Sequence, residues 1–571
     1  MKKSESSAVI LSPSFRKPNR SMLQKMNGAT LGFVPNWLTC FLLLLAVLAT
    51  APLMGPAQAN GSLDDVRWLL AKPDRLPLIV EKRRNDITAF YNSEQAQILW
   101  LGQERSGALT TAMESARSEG LRPEDYPYEV LIEATRSLQG PVGPSEVAWV
   151  ELLYTGHFLD FANDLRAGRV SPRVLYPDAY MPHNSIETVD ALTRLAGSDS
   201  VASFITDFQP QDDTYRRLKS HLARLYDIQA NGGFTYLEPG EDLSAGATSD
   251  QVPSLRQRLV EDNLLGETSD SDVFDKRLAF AVGQAHYRYG FDVSGDVTPE
   301  LVRALNIPVD RRIEQVSNAM ERIRWIPNEY SRLQLFINKG ENEYLFLENG
   351  RVIQEGRAYA NCPDRNYTNT ATTIEAVTFH PTWQVPFEYV GQELLPRLQS
   401  DPEQVASEGY YLRRKGAEVP LNALPWKQAS PRSIERFKDE FSVYLPSSEE
   451  NPLGRYAYRL RREQRLSLFD LEDVPESETY CNPYLPKTAF GILDGFKVLE
   501  HIIEPRVFPR EGIPDRISRG DTITFPARGG LMAVVSHQSV WVQRQGIIRF
   551  GHDPYLEDAR LTAALAGRPK P

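Results

Sequence analysis

Few residues in this chain could serve as nucleophile or base. There are three cysteines, Cys40, Cys362 and Cys481, and eight histidines in 571 residues. A thiolate is the strongest ordinary nucleophile at neutral pH, and acyl transfer through it needs a lowered thiol pKa and a base within hydrogen-bond reach. Cys40 sits inside an apolar run near the N-terminus and reads as filler there. Cys481 lies in Thr479-Tyr480-Cys481-Asn482-Pro483, with no glycine before it and no histidine nearer downstream than His501. His380, His537 and His552 fall in strand-like segments and read as structural. Cys-x-x-Cys, His-Glu-x-x-His, a phosphate-cradling glycine loop and a calcium loop are all absent from the sequence, so neither a metal nor a nucleotide cofactor is expected.

Composition bounds the rest. At 41% hydrophobic and 24% charged, a chain of this length exceeds one compact core and should form two or three domains. The balance of 64 basic against 75 acidic residues, a net −11, argues against a general nucleic-acid binder. The N-terminus orders a basic leader (Lys2, Lys3, Arg16, Lys17, Arg20, Lys25), an apolar run over Trp37–Thr50 and Ala57-Gln58-Ala59. That order is the signature of a secretory signal, and the run is short for a bilayer span of about 20 residues. Cleavage after Ala59 is the preferred reading and an uncleaved inner-membrane anchor the alternative; both export the remainder to the periplasm. Cys362 and Cys481 would then share an oxidising compartment in which a disulfide is open to them.

Residues 60–273 carry helical periodicity, as in Glu94–Glu119 and Glu146–Ala167, with polar, Gly- and Pro-containing breaks. Three motif-like pieces stand out: Phe90-Tyr91-Asn92, Gly120–Tyr126 and Asp164–Val170. Each reads as helix ends and turns rather than as chemistry. Over 274–306, Thr298 is an N-cap with Pro299 at the first helical position of a second short helix. A helix with Ile313, Val316, Met320 and Ile323 on one face follows. The period then falls to two: Leu333–Asn338, Tyr344–Ile353 and Glu375–Phe379 read as strands, with Glu348-Asn349-Gly350 a tight hairpin turn. A mostly β region runs from 331 to 558, with Gly391–Gly409 a helical insertion and 559–571 a tail.

Two resemblances emerge from ordered motifs. The 274–306 unit, with Ala281-Val282, Tyr289-Gly290-Phe291 and Thr298…Leu305-Asn306, resembles the small three-helix peptidoglycan-binding module. Cys362-Pro363-Asp364-Arg365, Phe379-His380-Pro381-Thr382-Trp383-Gln384-Val385-Pro386, Glu393–Pro396, Ser400-Asp401-Pro402, Gly409-Tyr410, Asn451-Pro452-Leu453-Gly454-Arg455 and Arg549–Asp558 resemble, in that order, the large periplasmic L,D-transpeptidases. The resemblance implies an α+β architecture: a helical scaffold domain (60–273), the peptidoglycan-binding-like module with a connecting helix (274–330), and a mostly β L,D-transpeptidase-type domain (331–558) with a helical lid. It implies cysteine acyl transfer on peptidoglycan stem peptides, with a histidine base and backbone N–H groups holding the oxyanion.

At the reactive positions the match breaks. The family's histidine aligns with Phe469, and its Ser/Thr-x-Gly-Cys-hydrophobic-Arg element aligns with Ala489-Phe490-Gly491-Ile492-Leu493-Asp494. Gly491 is kept, and with it the expected turn. Ile492 offers no nucleophile, and Asp494 reverses a charge. The expectation is a degenerate site that binds peptidoglycan glycan strands or stem peptides, or attends another cell-wall enzyme. The alternative keeps an active enzyme with Cys481 as nucleophile. Trp383, Tyr389 and Arg455 are candidate groove residues.

Overall fold

The computed structural model describes residues 62–567, apart from 183, 241, 327–331, 362–368, 437–439, 462–465, 472–480, 486–488, 494, 504–514 and 516–517. The leader, Cys362 and Asp494 thus lie outside the described residues. Among those described, no helix is long and apolar enough to cross a membrane.

The first helical core is built around the helix Pro144–Ala167, which is apolar on nearly every side. An all-round apolar helix must be central, and Leu152, Phe158, Leu159 and Leu165 are fully buried among shorter helices. Gly156 permits the closest approach, because a Cβ there would lie 2.5 Å from Ile79 Cγ2. The fully buried carboxylate at the middle of this helix, Glu151, accepts hydrogen bonds from the Leu99 N–H (2.7 Å), the Trp100 N–H (2.9 Å) and the Tyr91 hydroxyl (2.7 Å). That network explains a departure from expectation. Helix was expected throughout Glu94–Glu119, but residues 95–99 are non-helical and the helix begins only at Gln103, after Gly102. The N–H groups of 99 and 100 serve Glu151 instead of a helical ladder.

Burial raises the Glu151 carboxyl to about 7 despite those donors. Its proton is held more tightly in the fold than in the unfolded chain, so its contribution to stability is greatest in acid and declines from about pH 4.5 to about pH 7. Urea denaturation across that range should show this decline in the native chain and lose it in Glu151→Gln, whatever the variant's absolute stability.

A second core joins the helices Asp213–Ala230, Val252–Glu261, Lys276–Arg288, Pro299–Leu305 and Val309–Arg324. The Thr298 cap is present, its hydroxyl accepting from the Leu301 N–H at 3.3 Å. Two helices preceding residue 273 therefore share one core with the 274–306 unit. The two cores meet at a buried polar joint. Gly168 takes φ +80°, and a Cβ there would lie 2.6 Å from Glu321 Oε1, the same oxygen that accepts the Val170 N–H at 2.9 Å. With ψ at 162°, this is backbone open essentially to glycine alone. Gly168→Ala should cost about 2–3 kcal/mol, read as a lower urea midpoint with unchanged slope.

Among the described residues the β region has fifteen strands, and nine form one sheet in the order β12 (Ile523–Pro526)-β4-β13-β1-β2-β3-β11 (Ala489–Leu493)-β10 (Ser467–Leu471)-β9. The strands β1 (Leu333–Asn338), β2 (Glu343–Glu348) and β3 (Arg351–Ala360) meander, and the β2–β3 turn places Asn349 and Gly350 at φ 50° and 72°, as the hairpin signal predicts. The long β4 (Thr370–Phe379) pairs with β13 (Leu531–Ser536) at one end. At its other end it pairs with β9 (Tyr456–Leu460), which closes the sheet on itself. Inside lie Leu335, Ile337, Phe346, Val377, Tyr456 and Ile492, capped by the helix Phe496–Ile502.

The insertion is larger than a helix and loop. Helical turns over 387–407 pack on a separate four-stranded sheet, β5 (Trp383–Val385), β8 (Phe441–Leu445), β6 (Tyr411–Arg414) and β7 (Ala417–Val419), around their own core. The remaining strands β14 (Val540–Val542) and β15 (Ile548–Phe550) form a hairpin that packs into the second helical core. The architecture is α+β, with a helical N-terminal part and a mostly β C-terminal part.

Candidate functional site

The aligned site lies where β9, β10 (Ser467–Leu471) and β11 (Ala489–Leu493) run side by side. The segment leading into β9 is fixed by Asn451, whose Nδ2 donates to the carbonyls of Pro381 (2.8 Å), Pro446 (3.0 Å) and Leu445 (3.2 Å). Gly454 follows at φ 65°, where a Cβ would sit 2.6 Å from the Asp470 carbonyl oxygen. These two residues explain the Asn-Pro-Leu-Gly stretch by geometry alone.

Gly491 is not on a turn. It lies in the middle of β11, opposite Phe469 across a parallel pair. Its hydrogen faces the Phe469 ring, since a Cβ would lie 3.1 Å from Phe469 Cε2. Phe469 packs with Leu485, Ala489 and Leu453 in a small apolar cluster, itself only 1% exposed. Ile492 pairs with Asp470, one residue along, so it points to the other face of the sheet. There it is fully buried with Phe490, Val498, Leu499 and Ile502. The two positions aligned with base and nucleophile thus face opposite sides of one sheet, and each is filled with hydrocarbon.

Cys481 is disulfide-bonded, so it carries no free thiol. Cys362, for which the sequence left a disulfide with Cys481 open, lies outside the described residues. The connection that holds Cys481 is further pinned by Asn361, which donates to the Asn482 carbonyl (2.8 Å) and accepts from its N–H (2.6 Å). Beyond it, Tyr484 meets Tyr389 edge to face at 4.7 Å and donates its hydroxyl to Glu393 at 2.7 Å, joining the connection to the lid.

The three candidate groove residues are tied into packing. Trp383 is 5% exposed in the lid core, with its ring 5.1 Å from Tyr389. Tyr389 lies between Trp383 and Tyr484, its hydroxyl 3.3 Å from that of Tyr410. Arg455 Nε donates to Asp470 Oδ2 at 2.9 Å. Burial, with the charge of Asp470 adding to it, pushes the Tyr456 and Tyr458 phenols far above their ordinary value, so neither can supply a base.

His380 donates its backbone N–H to the Arg455 carbonyl and sets its ring Nδ1 3.3 Å from the Ser447 hydroxyl, and His501 stacks on Phe346. His537, Asp553 and Asp558 bring potential ligand atoms within 4.8 Å of one another. Each carboxylate there already has a partner. Arg322 holds Asp558 at 2.5 Å, and Asp553 accepts the Glu557 (2.7 Å) and Asp558 (2.9 Å) N–H groups while facing His537 at 3.1 Å. The cluster fastens the C-terminal helix Glu557–Gly567 rather than presenting open ligands.

A family model described as a scaffold domain matches residues 85–222. A candidate L,D-transpeptidase of Haemophilus influenzae is 20% identical over 151 residues, which cover 26% of this chain and 29% of that relative. The match therefore spans under a third of that protein's length. The crystal structure of an L,D-transpeptidase segment from Xylanimonas cellulosilytica aligns over 52% of this chain and 99% of that one, at 12% identity and a TM-score of 0.15. A score that low carries no geometric argument. The sequence match and the ordered motifs of the β region make this chain similar to the L,D-transpeptidase family over part of its length.

Proposed function

We propose that this protein is an exported, non-catalytic member of that family, which binds peptidoglycan or regulates an enzyme of the cell wall. The observation that carries the reading is the apolar filling of both aligned positions: Phe469 in its cluster with Leu485 and Ala489, and Ile492 in the core of the closed sheet. Acyl transfer needs a nucleophile, a base within about 3 Å of it, and room for a substrate carbonyl. Hydrocarbon at both places supplies none of these. The reading assigns 60–273 to a scaffold, 274–330 to a peptidoglycan-binding-like module with its connecting helix, and 331–558 to a transpeptidase-type domain whose lid is retained. Residues 1–59 are its signal peptide or, in the alternative, an inner-membrane anchor.

The alternative, catalysis by Cys481, requires a free thiolate where the structure has a disulfide. Incubation of the chain from residue 60 onward with a carbapenem, followed by intact-mass measurement, tests the two. No adduct is expected, with or without a reductant, and the protein should co-sediment with sacculi. An adduct mapped to Cys481 would overturn the proposal.

A further inference from the structure

A large cleft lies far along the sequence from the degenerate site. It has a volume of about 1130 Å³ and is walled by the helix Asp213–Ala230, the helix Lys276–Arg288 and the loop between β14 and β15. Pockets for small ligands run to about 1,000 Å³, so this one suits a segment of a longer chain.

Its lining is more basic than acidic. Arg217, His221 and Arg224 recur at helical spacing along one wall, and Arg288 faces them from the other. Arg224 donates to the carbonyls of Glu261 (2.9 Å) and Val260 (2.7 Å), and Arg288 donates to the Asp262 carbonyl. Neither forms an ion pair with a carboxylate among the described residues. Arg216 and Arg217 share the single carboxylate of Asp213. The Asp262 carboxylate is taken by Arg258 at 2.7 Å. Between the arginines, His221 Nε2 is buried without a hydrogen-bond partner. Burial and the charge of Arg288, with smaller contributions from Arg224 and Arg312, push this imidazole down to about 4. Glu355, the other carboxylate of the lining, accepts the Arg544 N–H at 3.1 Å, so basic side chains outnumber acidic ones in the cleft, which also contains an idle polar atom.

The remaining lining is chosen for something other than a bare ion. Phe280, 69% exposed, stands at the rim on the same helix face as Gln284. Gln545 and Ser294 add neutral donors and acceptors. An exposed ring for a sugar face, amides and hydroxyls for ring hydroxyls, and guanidinium groups for carboxylates together specify one ligand class. The geometry points to a binding site for a carboxylate-bearing oligosaccharide in this cleft. Its equation with a strand of peptidoglycan rests on the proposed function; the assignment to an acidic glycan does not.

The test uses the exported chain and three probes: peptide-free peptidoglycan strands, the same strands with their carboxyls amidated, and oligogalacturonate. Phe280→Ala and Arg217→Gln are suitable variants because Phe280 is 69% exposed and the Arg217 side chain about half exposed, and their thermal melting should stay close to that of the native chain. Calorimetry should show peptidoglycan strands binding about tenfold more tightly than amidated ones, with a similar loss in each variant. Arg217→Lys should recover part of that loss. Equal binding of charged and amidated strands, or of native and variant protein, overturns the cleft assignment while leaving wall binding intact. Variant-sensitive binding of oligogalacturonate without binding of peptidoglycan strands keeps the cleft and overturns the wall reading. Binding of none overturns both.

Discussion

Arg324→Met should destabilise the protein by about 3–5 kcal/mol, among the largest single-site losses available to it, because it strips a buried ion pair of its cation. Arg324 is fully buried. Its Nη1 donates to Glu321 Oε2 at 3.1 Å, and its Nη2 donates to the Tyr215 hydroxyl at 2.7 Å and to the Glu119 carbonyl. Methionine fills much of the volume but leaves Glu321, itself 1% exposed, charged and unpaired. Glu321 cannot simply move to solvent, because it also receives the Val170 N–H and abuts Gly168. The loss should appear as a lower urea midpoint, and the double variant Arg324→Met/Glu321→Gln should recover part of it by removing the stranded charge. The exposed pair Arg311–Glu314 is the control, since its loss should cost no more than about 0.5 kcal/mol. Equal effects at the two sites would show that the joint is not desolvated as described.

That joint also shows what a single sequence discloses. Gly120–Tyr126 and Asp164–Val170 read as helix ends and turns, which they are. What periodicity could not reveal is that the two segments meet. Arg169 pairs with Asp125 and faces Asp164 at 3.6 Å, Tyr126 donates to Asp164 at 2.9 Å, and Glu321 arrives from a helix some 150 residues away. Polar motifs of this kind satisfy one another only in three dimensions, so each half looks like an isolated turn. Elements set by local chemistry were legible: the Thr298 cap, the Asn349-Gly350 hairpin and the helix over Glu146–Ala167, which the structure begins at Pro144. Where a distant partner overrides local preference, as Glu151 does at Leu99 and Trp100, the reading failed. The same limit applied at the aligned site, where Gly491 was expected on a turn because the resemblance implies one, whereas here it lies within a strand and makes room for the ring of Phe469. The basic wall of the large cleft left a trace in Arg217, His221 and Arg224, which resembles any solvated helix face until the opposing helix is in place.

The face on which each site residue lies sets the outcome of any attempt to restore catalysis. Phe469→Ala should cost about 3–5 kcal/mol, since the ring is 1% exposed and its neighbours Leu485, Ala489 and Gly491 offer little to collapse into the space. Phe469→His combined with Ile492→Cys recreates the residue types of a thiol–imidazole pair but not its geometry. Phe469 stands opposite Gly491, and Ile492 is one residue further along the strand, so the new groups project from opposite faces of the sheet. The sulfur would take the fully buried place of Ile492 beneath Val498, Leu499 and Ile502, where low polarity holds a thiol in its neutral form. Titration with an aromatic disulfide reagent should therefore find no thiol beyond those of the parent chain while the protein is folded, and one more in denaturant. Carbapenem treatment of the double variant should add no mass. A covalent adduct at position 492 would mean that this strand can turn its core face outward and would overturn the placement of Ile492 in the core.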